Sequence, residues 1–323
     1  MKYISPLRYP GGKARLYPFL SRIIASQPSR VRTYGEPFAG GVGAGLRLLV
    51  NGDVDRLLIN DANPGIAAFW RICTQHSDEL VSIIQTTPVT IDTWHGQREI
   101  YRNPTAYDDL ALGFAAFFLN RTNRSGILSA APIGGLDQNG KWKIDARYNK
   151  ANLAERIKLI GSLGSRIEVS EKDAKEFLSR YQEAQEDIIF YVDPPYLAKG
   201  KKLYMSDFSL DDHTALRDTL REITCPWVLT YDDDALIYEN LYKGFRLARF
   251  GIAHTANVNH LGSEIIAFSP NVVIPDLEVT RTRSALPSEK LSKQPNPIPV
   301  AEPSGTTSVH FARATVLFQD QIL

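Results

Sequence analysis

The stretch Ile188-Ile189-Phe190-Tyr191-Val192-Asp193-Pro194-Pro195-Tyr196 is an apolar run that stops abruptly at an acid, two prolines and an aromatic residue. The run has the length and residue types of a buried strand. Proline lacks a backbone N–H and cannot continue a central strand, so the strand ends at Asp193. In an open α/β sheet, ligands sit just beyond the carboxyl ends of the strands. The stretch therefore delivers three groups to such a position: a carboxylate that only accepts hydrogen bonds, a proline carbonyl with no competing N–H, and a ring able to stack on a planar heterocycle. Together they could hold an amine. The same tetrapeptide would also serve as an ordinary proline turn with a packing tyrosine, and the rest of the chain has to decide.

The chain has 323 residues, 43% hydrophobic and 23% charged, enough for a sizeable core in one large domain or two smaller ones. Its apolar runs fall short of the roughly 18 residues that span a bilayer, and the N-terminal MKYISPLRYPGGK has no apolar signal core. A cytoplasmic protein without membrane association is expected. Two cysteines, Cys73 and Cys225, make neither a disulfide framework nor a metal cluster. Both are assigned to the core, and no metal is expected. The histidines, His76, His95, His213, His254, His260 and His310, lack ligand spacing and are read as structural.

A net charge of +1 excludes a globally basic binder but leaves room for local basic faces. Between Leu119 and Lys150, the cations Arg121, Arg124, Lys141, Lys143, Arg147 and Lys150 are opposed only by Asp137 and Asp145. Lys199, Lys201 and Lys202 follow Tyr196 with no acid until Asp207. Each cluster is either a solvated face or a phosphate-contacting one.

Strand and helix signals alternate along most of the chain. Val31–Gly35 reads as a strand, EPFAGGVGAGLRLLVNG (36–52) as a Gly-rich turn entering a helix, Arg56–Asn60 as a second strand and Ala62–Cys73 as a helix. The pattern resumes with a helix at Leu153–Leu163, a strand at Arg166–Val169 and a helix at Lys172–Tyr181. It continues with strand Asp187–Val192, helix Asp211–Glu222 and strand Trp227–Tyr231. Such alternation predicts a doubly wound, mostly parallel α/β sheet, and Gly244–Phe250 with Glu264–Phe268 suit an antiparallel pair at one edge. Between about 75 and 150 the pattern breaks into irregular and helical sequence, including FAAFFLNRTNRSG, which we read as an inserted subdomain. From about Pro275 a Pro/Ser/Thr-rich tail is expected to be a flexible linker ending in a short apolar segment, Val309–Leu323.

The turn Phe38-Ala39-Gly40-Gly41-Val42-Gly43 would let backbone approach a ligand beside a helix N-terminus, or would simply allow tight helix–strand packing. It lacks the GxGxxG spacing of a dinucleotide site, and the chain lacks GxxxxGK[ST], so no phosphate-bearing cofactor is expected. Asp61 closes the second strand about twenty residues later, where an acid can accept both ribose hydroxyls of a nucleoside or can cap the next helix. Asp173 is likewise a helix-start acid or an acceptor for an adenine amine. If the sheet is right, Asp61, Asp173 and Asp193 converge on one edge.

Five blocks, Tyr-Pro-Gly-Gly-Lys (9–13), Glu-Pro-Phe-Ala-Gly-Gly (36–41), Asn-Asp-Ala-Asn (60–63), Leu-Asn-Arg-Thr-Asn-Arg-Ser-Gly (119–126) and Asp-Pro-Pro-Tyr (193–196), stand in family order. Through them the chain, over roughly residues 5–270, resembles the D12 class of DNA N6-adenine methyltransferases, the Dam-like enzymes. The resemblance implies the Rossmann-like S-adenosylmethionine methyltransferase fold: a seven-stranded sheet with one antiparallel strand. It assigns residues 1–74 and 151–274 to the catalytic domain, 75–150 to a mainly helical target-recognition subdomain and 275–323 to the tail. It further implies that Tyr9 and Lys13 contact the cofactor and the region of the target base, and that Phe38, Gly40 and Gly41 wall the methionine part. Asp61 would hold the ribose hydroxyls and Asp173 the cofactor adenine. Thr230-Tyr231-Asp232 and Glu264 also sit as the family has them. The family pattern Phe-x-Gly-x-Gly is broken by Val42, which would be strained if its position needs φ > 0.

On this reading Asp193 and Pro194 hold the adenine amine for direct in-line methyl transfer, Pro195 stiffens the turn, and Tyr196 stacks on a base flipped from the duplex. Asn120, Arg121, Asn123 and Arg124 would contact DNA, and Lys199, Lys201 and Lys202 would follow the displaced strand. The expected cofactor is S-adenosylmethionine, the partner double-stranded DNA with a cognate restriction endonuclease or other defence component, and the state a monomer. The same site could serve N4 of cytosine or an RNA adenine, and a non-catalytic DNA-binding protein on this fold is the remaining alternative.

Overall fold

The computed structural model describes residues 4–9, 13–181, 187–196, 208–254, 260–275 and 311–317. Its strands are β1 (Thr33–Glu36), β2 (Arg56–Asn60), β3 (Ile167–Ser170), β4 (Ile188–Val192), β5 (Trp227–Asp232), β6 (Arg246–His254), β7 (His260–Phe268) and β8 (Phe311–Leu317). They form one sheet in the order β3-β2-β1-β4-β5-β7-β6-β8. Strands β1 to β5 pair in parallel, and β7 runs antiparallel to both β5 and β6. Consecutive segments lead outward from β1 to β2 and β3, whereas β4 returns to the other side of β1. The chain thus opens a crevice between the carboxyl ends of β1 and β4, where ligands gather in such sheets.

Both faces of the sheet are covered. On β4 every residue is buried, and alternate side chains enter two cores: Ile189 and Tyr191 one, Ile188, Phe190 and Val192 the other. This two-sided burial is why the run reads as continuously apolar. The first core takes α1 (Tyr17–Ala25), α2 (Gly43–Asn51), α3 (Pro64–Gln75), α6 (Asp109–Thr122) and α7 (Lys150–Ser162); the second takes α8 (Ala174–Ser179) and α9 (Leu210–Glu222). The helices start on the signals their sequences carry. Pro64 stands in the first turn of α3 behind the Asn63 cap, and Ser209 with Asp212 forms a capping box on α9.

The stretch expected as an insertion supplies α4 (Ser77–Thr86), α5 (Ile91–Arg102) and α6, and it shares its core with the sheet. Phe117 on α6 stacks on Phe69 of α3, ring centroids 5.6 Å apart and planes 8° apart. Residues 276–310 of the expected loose tail lie outside the described residues, but 311–317 form β8, parallel to β6 at the sheet edge. The short apolar segment expected at the end of the tail thus supplies an eighth strand. Among the described residues no helix is long and apolar enough to cross a membrane.

Candidate active site

At the carboxyl end of β1 the Gly-rich turn is tied down from below. Asp61, leaving β2, accepts the Gly40 N–H through Oδ2 at 2.8 Å and the Asn63 N–H through Oδ1 at 2.9 Å. Trp70 Nε1 donates to the Gly40 carbonyl at 2.9 Å. The fully buried Asn60 spans three strand ends, donating to the carbonyls of Pro37 and Lys172 and accepting from Ser170 Oγ. Burial pushes the Asp61 carboxyl up to about 6, against the pull of the two amides. Gly40 has φ +46°, and a Cβ there would stand 2.7 Å from the Tyr9 ring, which roofs the turn. Val42 has φ 45° and ψ 35°. The residue that breaks the family's glycine pattern therefore sits in left-handed backbone, a costly conformation for a β-branched side chain.

The second half of the site grows from strand register. Val192 pairs with Leu229, so Asp193 falls beside Thr230, whose hydroxyl donates to Asp193 Oδ1 at 2.8 Å. Tyr191 OH pairs in turn with Thr230 Oγ1 at 2.7 Å. Asp232 pairs with Glu264 across β5 and β7, which delivers a second acid. Lys13 lies between the acids, its Nζ 3.2 Å from Asp193 Oδ1, 3.5 Å from Glu264 Oε2 and 2.5 Å from Tyr196 OH. The Tyr196 hydroxyl also meets Glu264 at 3.1 Å and Asp193 Oδ1 at 3.2 Å.

Burial alone would lower Lys13, but the charges of Asp193 and Glu264 overcome it and hold the ammonium above its ordinary value. Glu264 is raised by its burial, with Lys13 opposing. Tyr196 is kept neutral by burial and by the same two acids. Glu36, buried at the end of β1, is pushed up to about 8, first by burial and then by the charge on Asp193. Glu36 is thus protonated at neutral pH, and Asp193 is the acid braced by a cation.

The structure brings Lys13, Asp193, Pro194, Pro195 and Tyr196 into one cluster, with Tyr9, Phe38, Gly40, Gly41 and Asp61 along the adjoining turn. Phe38 is half-buried and meets Phe208 edge-on at 5.7 Å. Asp173 is exposed and accepts the Lys175 N–H at 2.9 Å as the cap of α8.

Asn120 and Asn123, expected on DNA, turn inward. Asn120 is 1% exposed, grips the N–H and the carbonyl of Arg8 at 2.7 and 2.8 Å, and donates to the Gly126 carbonyl at 2.9 Å. Asn123 accepts from Trp94 Nε1 at 2.6 Å and donates to the carbonyls of Ile127 and Leu128. The assignment of both to DNA is therefore corrected: their amides are spent on buried backbone groups of this turn and of Arg8. Arg121 is largely turned inward onto the carbonyls of Arg147 and Pro6, whereas Arg124 is exposed. Lys199, Lys201 and Lys202 lie outside the described residues. The sequence reading missed Glu36 as a buried acid and also missed the bracing of Lys13 by Glu264. The signal available for the second was the antiparallel pairing of β7, which sets Glu264 opposite Asp232.

The order of strands β1 to β7, with β7 inserted antiparallel, is that of the Rossmann-like S-adenosylmethionine methyltransferase fold. A family model for the D12 class N6 adenine-specific DNA methyltransferases matches residues 9–256, and the chain belongs to that family. It is similar to the Type II methyltransferase M.MjaIII of Methanocaldococcus jannaschii, with 22% identity over 268 residues covering 75% of this chain and 89% of that protein. It is also similar to the Type II methyltransferase M1.LlaDCHI of Lactococcus lactis subsp. cremoris, with 21% identity over 261 residues covering 77% and 87%. Among solved structures, the rRNA methyltransferase aviRa from Streptomyces viridochromogenes aligns over 82% of this chain and 88% of its own, at 13% identity and a TM-score of 0.37.

Proposed function

We propose that this DNA adenine methyltransferase acts by direct, in-line transfer to N6 of an adenine flipped out of duplex DNA, with Asp193 and the Pro194 carbonyl accepting the two amine hydrogens. The observation that carries this reading is the asymmetry of Asp193. Its bonds from Thr230, Lys13 and Tyr196 all fall on Oδ1, while the half-buried carboxyl keeps Oδ2 for an incoming donor.

The exocyclic amine of adenine is a weak nucleophile because its lone pair is delocalised into the ring. Two acceptors placed on its hydrogens favour a pyramidal nitrogen, and holding it in attack geometry supplies much of the barrier reduction. In this pose Asp193 also accepts the proton that the nitrogen loses as it gains the methyl. The Tyr196 ring, fixed through its hydroxyl by Lys13 and Glu264, offers a face to the base.

The residues along the turn fit S-adenosylmethionine. Asp61 is fixed by two amides yet keeps lone pairs for a ribose diol, and Asp173 stands exposed at the end of β3 for an amine. Tyr9, Phe38, Gly40 and Gly41 would wall the methionine part. When bound, that cofactor supplies an electrophilic sulfonium methyl. Arg124 and the lysines after Tyr196 are proposed to meet DNA phosphates, and the Type II relatives favour a role beside a restriction endonuclease of matching sequence, in the cytoplasm.

The test is radiolabelled methyl transfer to DNA by Asp193→Ala, with nucleoside analysis of the product. Loss of activity with cofactor binding retained, and N6-methyladenine from the wild type, is the expected result. A near wild-type rate for the variant would overturn the assignment.

A further inference from the structure

Four arginines meet where the N-terminal segment crosses the ends of α6 and α7, and none of them is in an ion pair among the described residues. Arg121 donates through Nε at 2.8 Å, and through Nη2, to the Arg147 carbonyl, and Nη1 lies 3.5 Å from the Pro6 carbonyl. Arg156 on α7 donates from Nη1 to the Ser5 carbonyl at 2.9 Å. Arg8 has its backbone gripped on both sides by Asn120, and its carbonyl lies so close to Gly126 (φ +77°) that a Cβ there would stand 2.2 Å from it. Two buried guanidinium nitrogens, Nη1 of Arg8 and Nε of Arg156, have no hydrogen-bond partner at all.

Neutral carbonyls satisfy donors but do not cancel charge. Burial, then the positive charges of Arg8, Arg156 and Arg147, depress Arg121 to about 9. Like charges held this close on rigid backbone, with donors left over, are an arrangement completed by an anion, and guanidinium forks match the geometry of phosphate. Arg147 is exposed, and Arg8, Arg121 and Arg156 are half-buried, so the cluster opens to solvent. Arg8 also adjoins Tyr9, which covers the Gly40 turn.

We infer that Arg8, Arg121, Arg147 and Arg156 form a preorganised cradle for a backbone phosphate of the duplex beside the target adenine. The inference rests on the proposed DNA methylation, and it replaces the inward-facing Asn120 and Asn123 as the polar contact on this side. A phosphate seated here fixes the strand without reading its sequence.

The test is a salt series of duplex binding by the full chain, using a labelled duplex of arbitrary sequence and following anisotropy. Arg156→Gln and Arg147→Gln should each weaken binding and lower the slope of log affinity against log salt by about one. Binding of S-adenosylhomocysteine and the melting temperature should stay at wild-type values. Slopes unchanged in both variants would overturn the cradle. Arg147 uses its carbonyl, not its side chain, to hold Arg121, so its variant remains informative if Arg156→Gln fails to fold. Altered slopes in a protein that puts no methyl on adenine would sink the proposed function and leave the cradle standing; normal methylation with unaltered slopes would do the reverse.

Discussion

The loop after β4 and the loop after α6 carry equally conspicuous sequence, yet their polar side chains face opposite ways. Asp193 and Tyr196 project into the crevice, where Thr230, Lys13 and Glu264 orient them. Asn120 and Asn123 turn inward, Asn123 onto the backbone of its own loop and Asn120 onto that of Arg8 and Gly126. A strand flanked on both sides by other strands leaves the sheet in one direction only, so topology places whatever follows it. A turn at the end of a buried helix must first satisfy its own N–H and C=O groups, and an asparagine, donor and acceptor at once, is readily spent on that task.

The contrast can be broken most decisively at Asp193. Asp193→Ala should lower kcat/KM for methyl transfer by about a thousandfold, comparable to losing one preorganised group at a reacting centre, while S-adenosylhomocysteine binding measured by calorimetry persists. Glu36 tests whether every acid at this end of the sheet is outward and ionised. The native state holds this proton from its ordinary value of 4.5 up to about 8, whereas the unfolded chain releases it near 4.5. The native state therefore binds more protons in that window, and stability falls as pH rises through it. Glu36→Gln should remove on the order of 3 kcal/mol of that decline between pH 5 and 8, read from denaturation curves at both values.

On the other side of the contrast, Asn120→Ala or Asn123→Ala should cost about 2 kcal/mol, because buried partners lose their bonds, and should leave the salt slope of DNA binding unchanged. A changed slope with unchanged stability would return these residues to the interface. The smallest effect is expected at Val42. Val42→Gly relieves left-handed strain of about 1–2 kcal/mol but gives up burial of similar worth, so chemical denaturation should place it within about 1 kcal/mol of wild type.

Much of this was legible in the chain. The end of β4 at Asp193, β2 as Arg56–Asn60 and the capped start of α3 follow from proline chemistry, apolar periodicity and side chains that bond their own backbone, all local in sequence. Even the misfit of Val42 could be anticipated from a glycine pattern. What lay beyond the sequence depends on partners far apart along the chain: Lys13 between Asp193 and Glu264, the inward turn of Asn120 onto Arg8, and β8 beside β6. Burial and charge–charge distance exist only once those segments have met. The sequence alone therefore determined that an acid, a proline carbonyl and a tyrosine end the central strand. Only the tertiary structure decided which of the neighbouring polar groups face the crevice and which hold the fold together.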